Sequence, residues 1–337
     1  MSPLPKRGCY SYRRSQIHVP TIQFGDFMKI HFIDGEKGGI GKSLFSKVLV
    51  EYCLKVEYPF ALIDTDRTNP DVYNAYSTRC HGELGTFSED PSQVNLADGI
   101  IERVMEGQNV LVNLPAQIYT ITKGWLEQTG VLDAQFQQAL LEDCSLEEVE
   151  LPELLEAELG HFSGEEKQEV TLGAAPEARS GRSRKSKKAK TQFDGTLEFV
   201  KWFVCTGEPD SVALLQRSLQ DWGEKMTHVI VKNHGATERP DFSGLETGEV
   251  AQLAIKFPTR QLDFPKLLLG TGRGKFLSLF KHRSMQEAVS TKAAGWTVMD
   301  RQRVSSFLKA SHREISRVEM LPPLESKPAG KKSKSAT

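Results

Sequence analysis

The sequence predicts an α/β fold: a mostly parallel sheet flanked by helices on both faces. Three observations predict it. Short apolar runs end in Asp or Asn and alternate with stretches of helical periodicity. A glycine-rich stretch lies between the first run and the first helix, the strand–loop–helix–strand order of a parallel sheet. The same alternation resumes after one long block of like charge.

The first strand is read from Met28, Ile30, Phe32 and Ile33, ending at Asp34. Residues 1–27 before it lack periodicity and read as a flexible arm. After the glycine-rich stretch, Leu44, Phe45, Val48, Leu49, Tyr52, Cys53 and Val56 fall on one helical face. Pro59–Ile63 is the second strand, ending at Asp64, and Val110–Val112 the third, ending at Asn113. Residues 142–195 interrupt the fold. Glu142–Glu169 holds eleven acidic residues against one Lys, and Arg179–Lys190 holds seven Lys/Arg and no acid. Blocks of one sign repel themselves, so an acidic-then-basic disordered insertion is expected. Phe199–Val204 then reads as a strand, Ser211–Trp222 as a helix, His228–Val231 as a strand and Arg301–Val318 as the last amphipathic helix. The expected organisation is one domain built from 28–141 and 196–320, with a basic disordered tail over 321–337.

Composition narrows the class. Of 337 residues, 39% are hydrophobic and 26% charged, and 43 Lys/Arg against 44 Asp/Glu leave a net charge of -1. A sizeable core is therefore expected, and only local charge can indicate a polyanionic partner. The five Cys form no CxxC pair, which argues against a zinc site and a disulfide framework and for a reducing cytoplasm. The basic N-terminus has no apolar stretch after it, and no apolar run reaches the ~18 residues of a membrane span.

The glycine-rich stretch carries the chemistry. It reads Gly35-Glu36-Lys37-Gly38-Gly39-Ile40-Gly41-Lys42-Ser43. Glycines let the backbone curl until successive N–H groups face phosphate oxygens. The helix N-terminus adds free N–H groups and a favourable dipole. Lys42 supplies an ammonium for the β/γ-phosphates and Ser43 a hydroxyl for Mg²⁺. Glu36 stands where the strict GxxxxGK[ST] pattern has its first Gly. A glycine turn that binds nothing is the bland alternative.

Lys37-Gly38-Gly39-Ile40-Gly41-Lys42-Ser43 resembles the deviant Walker A motif, KGGxGK[ST], of the ParA/MinD superfamily. There the residue before KGG varies, which accommodates Glu36. The resemblance implies a P-loop NTPase fold of the SIMIBI type, ATP and Mg²⁺ as cofactors, and an ATP-dependent homodimer in which Lys37 reaches the partner's phosphates. The implied nucleotide-binding set is Glu36, Lys37, Gly38, Gly39, Ile40, Gly41, Lys42, Ser43 and Leu44. Asp64-Thr65-Asp66 is similar to the family's DxD switch I motif, so Asp66 would orient the hydrolytic water and act with Lys37 in catalysis. Asp64 would lie nearer the metal with Ser43. The family's Pro-Gln after DxD is absent here. In the switch II position Asn113 replaces the usual Asp. An amide can accept from a metal-bound water but carries no charge. That departure implies weak ATPase activity with nucleotide binding intact. Asn233, after a late strand, is a candidate for the adenine edge, or else a turn-forming Asn before His234-Gly235.

Between Lys256 and Arg283 there are seven Lys/Arg and one Asp, interleaved with Phe257, Phe264, Phe276 and Phe280. Arg301, Arg303, Lys309, Arg313 and Arg317 follow in the last helix. By resemblance these are candidates for non-specific DNA binding. Val304, Phe307, Leu308 and Ile315 are too interrupted for a membrane-lying face. Gly270–Lys275 lacks phosphate-loop spacing and reads as a turn. The Glu36-Lys37-Gly38-Gly39 and Asn113-Leu114-Pro115-Ala116 segments look most like those of MobD-type mobilisation proteins and plasmid partition ATPases. The leading expectation is a nucleotide-dependent dimer switch in DNA partition or mobilisation, with an unidentified partner protein. A scaffold that hydrolyses little ATP, favoured by Asn113, and an ATP-dependent biosynthetic synthetase remain as alternatives. The synthetase would need a Cys or carboxylate constellation that the sequence does not display.

Overall fold

The computed structural model describes residues 28–35, 38–146, 197–268, 282–290 and 297–324. The N-terminal arm, Glu36, Lys37, the turn Gly270–Lys275, nearly all of the insertion and most of the tail lie outside these residues.

Seven strands form one sheet in the order β3-β2-β4-β1-β5-β6-β7, and every pairing is parallel. They are β1 Met28–Asp34, β2 Phe60–Asp64, β3 His81–Leu84, β4 Asn109–Asn113, β5 Leu197–Cys205, β6 Thr227–Asn233 and β7 Thr259–Phe264. The helices are α1 Lys42–Lys55, α2 Asp71–Tyr76, α3 Gly99–Met105, α4 Tyr119–Thr129, α5 Ala134–Leu146, α6 Pro209–Trp222, α7 Gly248–Lys256, α8 Met285–Ser290 and α9 Val298–Arg317. β1, β2, β4 and β5 are near-continuous apolar runs because both faces of a parallel sheet are covered. On one face α1, α2, α8 and α9 pack over Ile33, Trp202, Val229 and Val231. On the other, α3, α4 and α5 cover Ile30, Phe32 and Val112, while α6 and α7 cover Phe203, Cys205 and Ile230.

The apolar face of α9 (Val304, Phe307, Leu308, Ile315) is core, packed against α1 and β7. Thr297 caps the helix reciprocally with Asp300, so it begins three residues before the expected start. No helix among the described residues is long and apolar enough to cross a membrane. Packing continues past the expected end of the domain: Leu321 is buried, and the Tyr52 hydroxyl donates to the Pro322 carbonyl at 2.7 Å. Phe264, counted in the basic–aromatic cluster, is core against Phe45 and Phe307, so it cannot stack on a base.

Three histidines are buried with neutral rings. His31 accepts from Trp202 Nε1 at 3.1 Å, and His228 lies 3.0 Å from the Ser218 hydroxyl. Burial pushes both down to about 3, with Lys29 and Lys201 respectively adding to it. Burial lowers His312 to about 4. The unfolded chain therefore binds protons below pH 6.5 that the native chain refuses. Native stability is complete above 6.5 and is lost as pH falls toward 4 for His312 and toward 3 for His31 and His228, by up to about 1.4 kcal/mol per pH unit for each ring. The urea midpoint should drop clearly between pH 7 and pH 5; equal midpoints would contradict this.

Candidate functional site

The C-terminal ends of β1, β2, β4 and β6 converge on the glycine-rich stretch. Gly38, Gly39 and Ile40 form a turn, and Gly41 closes it at φ +87° as the residue before α1. A Cβ on Gly41 would stand 2.6 Å from Asn233 Nδ2, so both conformation and space demand glycine there. A Cβ on Gly38 or Gly39 would meet nothing within 4 Å, leaving that side of the turn open. Among the described residues, α1 has no acidic residue in its first turn and no side-chain cap, so its first N–H groups and positive dipole end favour an anion.

Lys42, the first residue of α1, is 7% exposed, and its ammonium donates to the Leu114 carbonyl just past β4. Burial lowers its pKa, and the Asp34, Asp66 and Asp64 carboxylates oppose that shift. Ser43 and Leu44 are half-buried on the same turn of helix.

Asp64 and Asn113 are paired. They end β2 and β4 in register, and the Asn113 amide donates to Asp64 Oδ1 at 2.8 Å. Asn113 Oδ1 accepts from the Ser46 hydroxyl of α1 at 2.7 Å. Asp64 also accepts from Asp66 N–H at 3.2 Å and, through Oδ2, from Val72 and Tyr73 N–H at 3.2 and 3.0 Å. It thereby holds the start of α2. Burial raises its pKa against these donors. Asp66 is half-buried and accepts Asn69 N–H at 3.0 Å.

This donor set bears on Mg²⁺. Four N–H groups fill the roughly four lone-pair sites of the Asp64 carboxylate. Asn113 gives one lone pair of its oxygen to Ser46 and keeps the other. Asp64 does not fit as a direct ligand in this arrangement and would contact a cation through a metal-bound water; Asn113 could accept from such a water, and the half-buried Ser43 hydroxyl at the start of α1 would be the group for direct contact. Among the described residues no group of three or more His, Cys, Asp or Glu could hold an ion unaided.

Asn233 lies under the loop. Its Nδ2 donates to the Ile40 carbonyl at 2.5 Å and its Oδ1 accepts Gly235 N–H at 2.9 Å. One N–H and one lone pair remain for any base. The structure thus brings Gly38–Leu44, Asp64, Asp66, Asn113 and Asn233 to one sheet edge; Glu36 and Lys37 lie outside the described residues.

Sequence reasoning missed Asp34, Lys201, the Leu114 carbonyl and Ser46. Only Lys201 left a signal, a lysine inside the apolar strand Phe199–Val204. Gln117, in the turn after β4, holds the left-handed φ of 58°. The next helix is pinned by Tyr119, whose hydroxyl donates to Asp221 at 2.5 Å. A cleft of about 640 Å³, lined by Thr206, Gly207, Thr237 and Arg239, lies at the start of α6, between the segments that follow β5 and β6.

No family profile matches the chain. Over 102 residues, 30% of the chain, it is 33% identical to Protein MobD of Acidithiobacillus ferrooxidans. The match spans 40% of that protein, less than two thirds of its length.

Proposed function

We propose that the chain is a P-loop nucleotide-binding protein of the ParA/MinD type, binding ATP with Mg²⁺ and switching between monomer and dimer in a mobilisation-related process. The observation that carries this is the glycine turn at the uncapped start of α1, set on the C-terminal edge of a parallel sheet with Lys42 among carboxylates. Ligands of open parallel sheets sit at that edge. The similarity to Protein MobD supports the process named, and only distantly.

In this reading the turn's amides and Lys42 hold phosphate oxygens. Lys42 exchanges the Leu114 carbonyl for a phosphate, so its resting bond is a holding position. Ser43 faces the metal, which neutralises phosphate charge when bound. Asp66 stands beside the loop as the group to orient water, and Lys37 bridges to a second copy. The exposed Arg303, Lys309, Arg313 and Arg317 of α9 offer charge to DNA phosphates, although Arg303 and Arg317 already pair with Asp300 and Glu314. Asn113 favours a second reading within the first: an amide-for-carboxylate exchange makes a switch that binds ATP and hydrolyses it slowly.

Light scattering on the purified chain, with Mg-ATP, Mg-ADP or no nucleotide, tests the switch. The mass should double with Mg-ATP alone, and Lys37→Ala should stay monomeric at the same concentration. A monomer in every condition would refute the dimer, and a nucleotide-independent dimer would refute the switch.

A further inference from the structure

Asp34 and Lys201 form a buried ion pair at the root of the glycine turn. Their side chains are 4% and 6% exposed, and Lys201 Nζ donates to Asp34 Oδ2 at 2.8 Å. Asp34 Oδ1 accepts the N–H of Gly35, the first amide of the turn, at 2.6 Å. Lys201 comes from the interior of β5, flanked by Val200 and Trp202, and its ammonium also lies 5.1 Å from the centre of the Tyr119 ring. That ring opens α4, directly after the segment whose Leu114 carbonyl receives Lys42.

A buried pair of this kind is not needed for stability. Removing two charges from water costs several kcal/mol, and apolar residues of similar volume commonly do as well. Its position gives it another use. Asp34 is among the carboxylates that act on Lys42. Lys201 is the cation that occupies Asp34 and holds its carboxyl below the usual carboxylate range against the effect of burial. The loop root thus sets two ammonium groups, Lys42 and Lys201, among three carboxylates, Asp34, Asp64 and Asp66, so no cation there is in surplus. Besides Lys201, the cation that acts on Asp34 is Lys42.

We infer that the Asp34–Lys201 pair is a positioning device for phosphate: Asp34 fixes the first amide of the turn, and Lys201 neutralises Asp34 so that Lys42 stays available to the ligand. This rests on the phosphate-binding reading above. Asp34 and Lys201 are positioning residues; neither is placed in contact with the ligand.

The test is calorimetric titration of ADP and of adenosine into wild type, Lys201→Met, Asp34→Asn and the double variant. Lys201→Met should weaken ADP binding roughly tenfold and leave adenosine binding unmoved, because only phosphate senses the freed carboxylate. Asp34→Asn keeps an acceptor for Gly35 N–H and removes the charge, so it should tighten ADP binding by about threefold. The double variant should return close to wild type. Opposite signs for the two single variants are what a merely structural pair would not give. If Lys201→Met does not fold, Asp34→Asn and the double variant still decide. Weakened ADP binding in Asp34→Asn, unaltered binding in Lys201→Met, or no recovery in the double variant would overturn the inference. A wild type that binds no ADP would overturn the phosphate-binding reading itself, and the inference with it.

Discussion

Lys42→Met is expected to lower ATP and ADP affinity about 100-fold or more while leaving the fold intact. Among the described residues of the turn, Lys42 is the one that carries a full positive charge, which in the proposed reading it brings to the phosphates. Two charge-assisted hydrogen bonds of about 1.5–3 kcal/mol each account for a factor of that size. The fold should tolerate the change. Lys42 is buried, its pKa is lowered by burial, and its ammonium donates to the Leu114 carbonyl. Methionine fills the same volume and removes a desolvation cost. Asp34 keeps Lys201 as its partner. Calorimetry with Mg-ADP, paired with thermal denaturation by circular dichroism, separates the two effects. Retained affinity in a folded variant would remove Lys42 from phosphate binding and, with it, the main support for the nucleotide reading.

Asn113→Asp should destabilise the chain by about 3 kcal/mol, a fall of roughly 5–10 °C in melting temperature. The change looks like a restoration, since the motif resemblance expects Asp there. The geometry says otherwise. The Asn113 amide donates to Asp64 at 2.8 Å, so the variant sets two carboxylate oxygens against each other in a buried place. The donor that Asp64 loses is not replaced, because Ser46, Asp66, Val72 and Tyr73 already make their bonds to the pair. Lys42 and Lys47 are the nearby cations that act on Asp64, too few to cancel both charges. The double variant Asp64→Asn, Asn113→Asp should recover more than half of the loss. It restores a carboxylate–amide pair in reverse order and forfeits the bond from Asp66 N–H. Thermal melts of the two variants check this. A melting temperature for Asn113→Asp equal to wild type would mean that the Asp64–Asn113 bond carries no weight.

The elements legible in the sequence are those with a full apolar period. β1, β2, β4, β5 and β6 announce themselves because both faces are buried, and α1, α6 and α9 because one face is. β3 and β7 were not read. His81–Leu84 is a polar edge strand, and in Thr259–Phe264 only Leu262 and Phe264 are buried. An edge strand covered on one side need not be apolar, so the pattern is too weak to stand out. The short α2 was missed for another reason. Its start is held by a carboxylate seven residues upstream, Asp64, rather than by a local cap.

The candidate site divides along the same line. Gly38, Gly39, Gly41, Lys42 and Ser43 are contiguous, and their chemistry is set by spacing along the chain, which the sequence displays directly. The sequence by itself therefore determined the parallel α/β class and the glycine turn at a helix start. What surrounds the turn was decided by the sheet order. Only the placing of β1 between β4 and β5 brings Asp34 to Lys201, 167 positions apart in the chain. Only the β2–β4 register sets Asp64 against Asn113 and gives the amide a donor's role toward a carboxylate. Such pairings depend on the crossover connections that bring distant strands side by side, and no local pattern of residues encodes them.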